Sequence, residues 1–199
     1  MARALDFFFD FMSPPTYLAY TQMPGLIART NCTVNYNPTF TIGLHQLTGN
    51  RSPREVPNKA AWLGGDLRRW ARRYGVTLGS NSHIDSLKII PPLRGVFVAR
   101  ERGETDAYIA AMFRGMWVED ANIGEAKAFA LLLAEAGLDS AAYAVGIERA
   151  DVKEALRAST QEAAHRGAFG APSFFVADEL FWGQDRLEFV EEALMAQPP

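Results

Sequence analysis

The 199 residues, 48% of them hydrophobic, suffice to bury a sizeable core as one domain or as one domain carrying an insertion. Twenty Lys and Arg against 23 Asp and Glu leave a formal net charge of -3, so no global field favours nucleic acid or an anionic membrane, and no apolar run is long enough to span a bilayer. The single cysteine, Cys32, excludes an internal disulfide, and His45, His83 and His165 are scattered without ligand spacing, so no metal centre is expected.

Met1, Ala2 and Arg3 lead directly into an apolar run with no signal-peptide pattern, which makes the cytoplasm the expected location. Residues 5–10, LDFFFD, are too short for a stand-alone helix and read as a buried strand. Ser13 then suits an N-cap and Pro14 the first helical position, where a missing N–H costs nothing. The first turn of such a helix is expected to point unpaired N–H groups outward and to favour negative charge. Apolar positions at Tyr17, Leu18, Met23, Leu26 and Ile27 predict one helix over residues 14–29, kinked at Pro24-Gly25. Residues 33–40 alternate and predict a second strand, completing a βαβ unit with a right-handed crossover; Cys32, just before it, reads as buried.

Residues 42–57, rich in Gly, Pro, Asn and Ser, read as a long loop and a candidate site wall, with Asn50 and Arg51 as its polar candidates and Lys59 just beyond. A helix is expected over residues 58–74, with Trp62, Leu63, Leu67, Trp70 and Tyr74 on the core face, four arginines on a solvated face and Gly75 as terminator. Residues 87–100 look interrupted by Pro91 and Pro92, whereas 106–117 and 123–136 look helical, with Gly137 as a cap and 138–146 as a short connector or helix. Asp151 with Glu154 has capping-box spacing for a further helix closed by Gly167. Residues 173–176 and 180–182 form a hairpin about an Asp178-Glu179 turn, and Asp185 is an N-cap for a last helix bearing Leu187, Val190 and Leu194.

The order is βαβ, a helical block, then ββα, with Pro172 just before the third strand. This resembles the thioredoxin fold, whose members hold a cis proline facing the start of the first helix, and the large insertion resembles the DsbA and kappa-class glutathione transferase branch. The expected class is therefore α/β, a thioredoxin-like fold with a large all-helical insertion, divided as residues 1–43 with 168–199 and an inserted 44–167. Where redox members carry Cys-x-x-Cys, this chain has Ser13-Pro14-Pro15-Thr16, which excludes dithiol-disulfide chemistry there. Four stretches in order, FFFDFMSPPTYLA, TGNRSPREVPNKAAWLGGDLRRWARRYGV, MFRGMWVEDANIGE and GAFGAPSFFVADELFWGQDRL, resemble the 2-hydroxychromene-2-carboxylate isomerase family, glutathione-dependent enzymes related to the kappa transferases.

That resemblance implies a set of roles. Ser13 would hydrogen-bond the glutathione sulfur, and the Ala171 backbone before Pro172 would pair with the peptide as a short strand. Gln184 and Asp185 would take the γ-glutamyl end, and Asn50 would be a further glutathione contact. Arg51 and Lys59 would receive the substrate carboxylate, with Phe8 and Trp117 as an aromatic wall, although core packing is the plainer reading of both aromatics. The reaction implied interconverts 2-hydroxychromene-2-carboxylate and trans-o-hydroxybenzylidenepyruvate in aromatic, naphthalene-type catabolism, by reversible addition of the cofactor thiolate. A homodimer is expected by analogy with relatives. Pro15 and Thr16 stand where the family has an aromatic and a serine, and residues 81–92 lack the family's Phe-Pro and Asn-Thr, which leaves the second substrate open. A kappa-like transferase or peroxidase, and a non-catalytic glutathione-binding module, are the alternatives.

Overall fold

The strand β1 (Ala4–Phe9) is the axis of the molecule, because both of its faces are buried and its aromatic residues supply both cores. A computed structural model describes residues 3–196; Met1 and Ala2, on which the expectation about the extreme N-terminus rests, lie outside the described residues. β1 pairs in parallel with β2 (Thr33–Pro38) after the crossover helix α1 (Pro14–Thr30), and antiparallel with β3 (Ser173–Val176), which pairs antiparallel with β4 (Glu179–Trp182). The sheet order is β2-β1-β3-β4.

Alternation along β1 sorts its side chains between the two faces. Leu5, Phe7 and Phe9 join a core with Phe11, Phe113 and Phe174, in which Phe7 stacks on Phe174 at 4.8 Å; Phe8 points the other way and meets Phe175 edge-on at 5.6 Å. Each fully buried Phe contributes roughly 1.5–3 kcal/mol, so the Phe-rich opening stretch is the main local source of stability.

Between β2 and β3 run α2 (Thr41–Thr48), α3 (Pro57–Tyr74), α4 (Ile90–Arg102), α5 (Thr105–Trp117), α6 (Ala126–Glu135), α7 (Ser140–Gly146) and α8 (Ala150–His165). After β4 a 3-10 turn, Gln184–Arg186, leads into α9 (Leu187–Ala196), which buries Val190 and Leu194. Among the described residues no helix is long and apolar enough to cross a membrane.

Five local expectations change. The loop expected over residues 42–57 contains α2 and a 3-10 turn, Pro53–Glu55, so a division at residues 43/44 falls inside a helix. Its N-cap, Phe40, offers no side-chain cap; the Thr41 N–H is instead taken by Asp10 Oδ2 at 2.9 Å, a partner 31 positions away that no local pattern reveals. Trp62 is 59% exposed, because α3 seats Leu67 and Ala71 against Leu18 of α1 with Leu63, Trp70 and Tyr74 packed around them, and Trp62 lies off that face. Pro91 and Pro92 do not interrupt a helix but open α4, in the first turn where a missing N–H is harmless. Arg149, not Asp151, is the N-cap of α8; Asp151 pairs with Arg149, and Glu154 pairs with Arg157 rather than closing a capping box. Asp185 does not cap α9 either, since it lies within the 3-10 turn that precedes it.

The other landmarks hold. Gly75 and Gly167 end their helices with positive φ, Gly137 has positive φ beyond α6, and Cys32 is buried. The hairpin forms, but it reverses at Ala177, whose φ is 53°, and Asp178, one residue earlier than expected, because Glu179 already pairs with Val176 in β4.

Candidate functional site

Ser13 is the N-cap of α1, in an extended conformation, with Pro14 and Pro15 in the first turn. Its hydroxyl accepts the N–H of Thr16 at 3.3 Å and donates to the carbonyl of Ala171 at 2.9 Å, across 158 positions of sequence. The Ala171–Pro172 bond is cis, so the proline expected to face the helix start does so, with Ser13 hydrogen-bonded to the residue before it.

The helix start differs from expectation in its donors. A helix normally leaves its first N–H groups unpaired. Here Pro14 and Pro15 have none, Thr16 gives its N–H to Ser13, and the Ser13 N–H goes to the Asp10 carbonyl at 3.1 Å. No outward N–H is left in that turn. The field of the helix remains, but the direct donor available to an anion is the Ser13 hydroxyl. One turn in, the Thr16 hydroxyl oxygen is buried with no hydrogen-bond partner in a fully buried residue, so an extra polar group sits beneath the helix start.

The remaining residues join this point through the segment around Pro172. Asn50, on the exposed stretch after α2, gives its side-chain N–H to the carbonyl of Phe169 at 2.6 Å, two residues before Ala171. On the other side the Gly183 N–H donates to the Pro172 carbonyl at 3.0 Å, which places Gln184 and Asp185 immediately beyond. Gln184 is buried, Asp185 is exposed, and the Tyr74 hydroxyl donates to the Gln184 carbonyl at 2.7 Å. Gly183 has a φ of 105°, and a side chain there would run into the Asp185 carboxylate. A cleft of about 180 Å³ opens on this turn between α1, α3 and α9, lined by Trp70, Arg73, Tyr74, Gln184, Asp185 and Glu188 among others.

The structure thus links Ser13, Asn50, Ala171, Pro172, Gln184 and Asp185 through one connected strip of backbone. Arg51 and Lys59 lie on the exposed run after Asn50 and at the start of α3. Trp117 is elsewhere in character: it is 5% exposed, and its indole N–H donates to the Phe11 carbonyl at 2.9 Å, so it packs the core under the β1–α1 turn and offers a substrate almost no surface. Phe8, 3% exposed, is likewise packed.

Sequence reasoning passed over two residues of this region. Tyr74 reads from its helical spacing as a packing residue, and only its contact 110 positions away reveals the hydroxyl's part. Asp10, a carboxylate just after β1 and three residues before Ser13, is 1% exposed. Burial pushes its carboxyl above its ordinary value, against the opposing hydrogen bonds from the N–H groups of Thr41 and Met12. Among the described residues no group of three His, Cys, Asp or Glu is arranged to hold a metal ion.

Comparison with known proteins agrees with this fold. Residues 4–195 match the family model described as DSBA-like thioredoxin domain. The chain is 32% identical to a 2-hydroxychromene-2-carboxylate isomerase of Sphingobium xenophagum over 98% of this chain and 100% of that one. It is 24% identical to glutathione S-transferase kappa 1 of Caenorhabditis elegans over 98% and 92% of the two chains. A solved structure of a 2-hydroxychromene-2-carboxylate isomerase superposes with a TM-score of 0.86 at 30% identity, covering 96% of this chain and 94% of that one. The chain belongs to the DSBA-like thioredoxin domain family, in the branch that holds the 2-hydroxychromene-2-carboxylate isomerases.

Proposed function

We propose that this protein is a cytoplasmic, homodimeric, glutathione-dependent isomerase that interconverts 2-hydroxychromene-2-carboxylate and trans-o-hydroxybenzylidenepyruvate in aromatic catabolism. The observation that carries the reading is the hydroxyl of Ser13, held at the start of α1 beside the residue preceding a cis proline, in a chain whose one cysteine is buried elsewhere. A site of this build has a donor for a sulfur but no sulfur of its own.

The residues present fit glutathione. The Ser13 hydroxyl suits a thiolate, and the positive end of α1 adds a favourable field. The exposed carboxylate of Asp185 suits an ammonium, and the half-buried Ala171 backbone suits an extended peptide laid along it. Asn50, tied to Phe169, bounds the same strip from the α2 side. Bound there, glutathione supplies a nucleophile that adds reversibly to a conjugated ketoacid and is returned unchanged.

What the chain itself does is to orient and to neutralise. Ser13 holds the sulfur in its anionic form and so keeps it both nucleophilic and able to leave. Arg51 and Lys59 receive the carboxylate of the aryl substrate: the neighbouring Arg54 is paired with Asp85, whereas neither Arg51 nor Lys59 enters an ion pair among the described residues. Two cations near the substrate carboxylate also favour the negative charge that develops on the adjoining ketone oxygen.

The kappa-class likeness supports a second reading, a transferase acting at the same Ser13 site. One experiment separates the two: the ultraviolet spectrum of 2-hydroxychromene-2-carboxylate is followed with the protein, with and without glutathione, while free thiol is titrated. Equilibration that needs glutathione and consumes none supports the isomerase. Loss of thiol supports the transferase, and no spectral change with undisturbed thiol rules out this substrate.

A further inference from the structure

A buried carboxylate that no step above uses lies directly behind the helix start. Asp10 is 1% exposed and directly follows β1. Its Oδ1 accepts the Met12 N–H at 2.9 Å, its Oδ2 accepts the Thr41 N–H at 2.9 Å, and its backbone carbonyl accepts the Ser13 N–H at 3.1 Å. The first and third of these bonds define the turn that presents Ser13. The second ties the same carboxylate to the first residue of α2, the helix whose far end delivers Asn50. Phe40, the N-cap of α2, has no capping side chain, so Asp10 provides that helix with its cap from another segment.

We propose that Asp10 is a positioning residue that locks the two sides of the site to each other, setting Ser13 through the Met12 turn and Asn50 through Thr41 and α2. A carboxylate suits this role because it has two oxygens, each of which only accepts when ionised, and each meets a backbone donor from a different segment. An amide cannot do the same: one end accepts, but the other presents N–H to N–H. Burial makes the arrangement sensitive to protonation, since a protonated oxygen would likewise face a donor.

The titratable groups on the elements around this carboxylate are few. The first turn of α1 carries no acidic residue. On α2 the titratable side chain is His45, one turn beyond Thr41 and held below its ordinary value mainly by burial. On β1 it is Asp6, at the other end of the strand and paired with Arg166 at 2.7 Å. From α8 the neighbour is a neutral hydroxyl, Thr160, which accepts the Phe40 N–H at 3.1 Å, and from α5 the indole of Trp117 on Phe11.

The test uses the full chain and two variants. Asp10→Asn removes one of the two bonds by chemistry. Thr41→Pro removes the N–H bond to α2 together with the Thr41 hydroxyl and leaves the Met12 bond in place, at the first helical position where proline is well accommodated, after a residue already in the extended region with φ -78° and ψ 97°. Amide nitrogen–proton spectra are recorded across acidic pH, and glutathione affinity is measured by calorimetry. In the wild type the amides of Met12, Ser13, Thr41 and Asn50 are expected to titrate with one shared midpoint, absent in Asp10→Asn. In Thr41→Pro the Asn50 response is lost while Met12 and Ser13 keep theirs. Both variants should bind glutathione more weakly, Asp10→Asn by about tenfold, as a lost hydrogen bond to a charged group suggests.

Separate midpoints at Met12 and Thr41, or a shared response that survives Asp10→Asn, overturns the proposal, as does unchanged glutathione affinity in both folded variants. The affinity arm rests on the glutathione reading. If the wild type binds no glutathione, that reading fails, and the amide titration alone decides for or against the coupling. Should Asp10→Asn fail to fold, Thr41→Pro and the wild-type titration still decide it.

Discussion

The hydroxyl of Ser13 donates to the carbonyl of Ala171 at 2.9 Å, so a bound sulfur gains that proton by replacing a carbonyl acceptor. The same oxygen accepts the Thr16 N–H. Substituting Ser13→Ala therefore removes one donor and releases another, because the Thr16 N–H becomes available at the helix start. The loss is expected to be smaller than the 10²–10³ typical of deleting a single donor to a developing anion, about 10- to 100-fold in the rate of isomerisation. Stopped assays with wild type and variant at saturating glutathione measure it; an unchanged rate would remove Ser13 from the chemistry.

Two consecutive prolines leave the first turn of α1 without a free N–H. Replacing Pro15 by Ala restores one at the second helical position, pointing along the axis toward the same anion. A charge-assisted hydrogen bond of about 1.5–3 kcal/mol corresponds to a fall of roughly one pKa unit or more in a bound thiol. Thiolate absorbance against pH in the glutathione complex reads this directly. A bound thiol that titrates identically in Pro15→Ala and wild type would mean that the sulfur does not rest on this helix start.

Gly183 holds a φ of 105° between Pro172, whose carbonyl takes its N–H, and Asp185, whose carboxylate lies where a side chain would begin. Gly183→Ala is expected to strain the backbone and push the Asp185 carboxylate away from the ammonium it is assigned to. Glutathione affinity should fall about tenfold, while a thiol lacking the γ-glutamyl group should bind the variant and wild type alike. Parallel calorimetry with the two thiols is the check.

Ser13 and Pro172 are legible in the sequence through local signatures, an N-cap before proline and a proline before an apolar strand, whereas Asn50, Ala171, Gln184 and Asp185 gain their site roles only through the family resemblance. What was illegible depends on partners far away in the chain. The stretch 42–57 reads as a loop since Phe40 cannot cap α2; the cap is Asp10, supplied from the turn after β1. Trp62 looked like core since it fits a helical stripe, but one step round α3 Leu63 and Leu67 already fill the contact with α1. Asp151 and Asp185 had good cap spacing, yet Arg149 captures the first, and the turn after Gly183 draws the second into a 3-10 segment. Local propensity ranks the candidates, and tertiary contacts choose among them.

One of the close approaches in the helical block joins α4 to α5. Gly95 of α4 lies against the ring of Tyr108 on α5, whose hydroxyl donates to the Pro92 carbonyl at 2.7 Å and whose ring stacks on Tyr143 at 5.0 Å. A methyl group at residue 95 overlaps the Tyr108 hydroxyl, so Gly95→Ala must displace a fully buried ring or separate the two helices. The helix propensity gained is about 1 kcal/mol and the overpacking cost about 1–3 kcal/mol or more, which gives net destabilisation. Urea unfolding is the measurement, and a variant as stable as the wild type would show that the α4–α5 contact yields easily.

Asp10 should also leave its mark on stability as a function of pH. Its carboxyl is raised above 3.8 in the folded protein, mainly by burial, so between 3.8 and that raised value the folded state binds more protons than the unfolded state. Stability from this group is then greatest below 3.8 and declines as pH rises through the folded value, because above it a charge is held away from water. The many surface carboxylates with lowered values, such as Asp151 and Glu154 beside their arginines, act in the opposite direction and dominate the overall acid response. The contribution of Asp10 is isolated by difference. Relative to Asp10→Asn, the wild type should gain melting temperature as pH falls through the folded value toward 3.8, and the difference should level off above and below that window. A difference that grows as pH rises would mean that the hydrogen bonds from Met12 and Thr41 outweigh burial, and that Asp10 is an ordinary ionised cap.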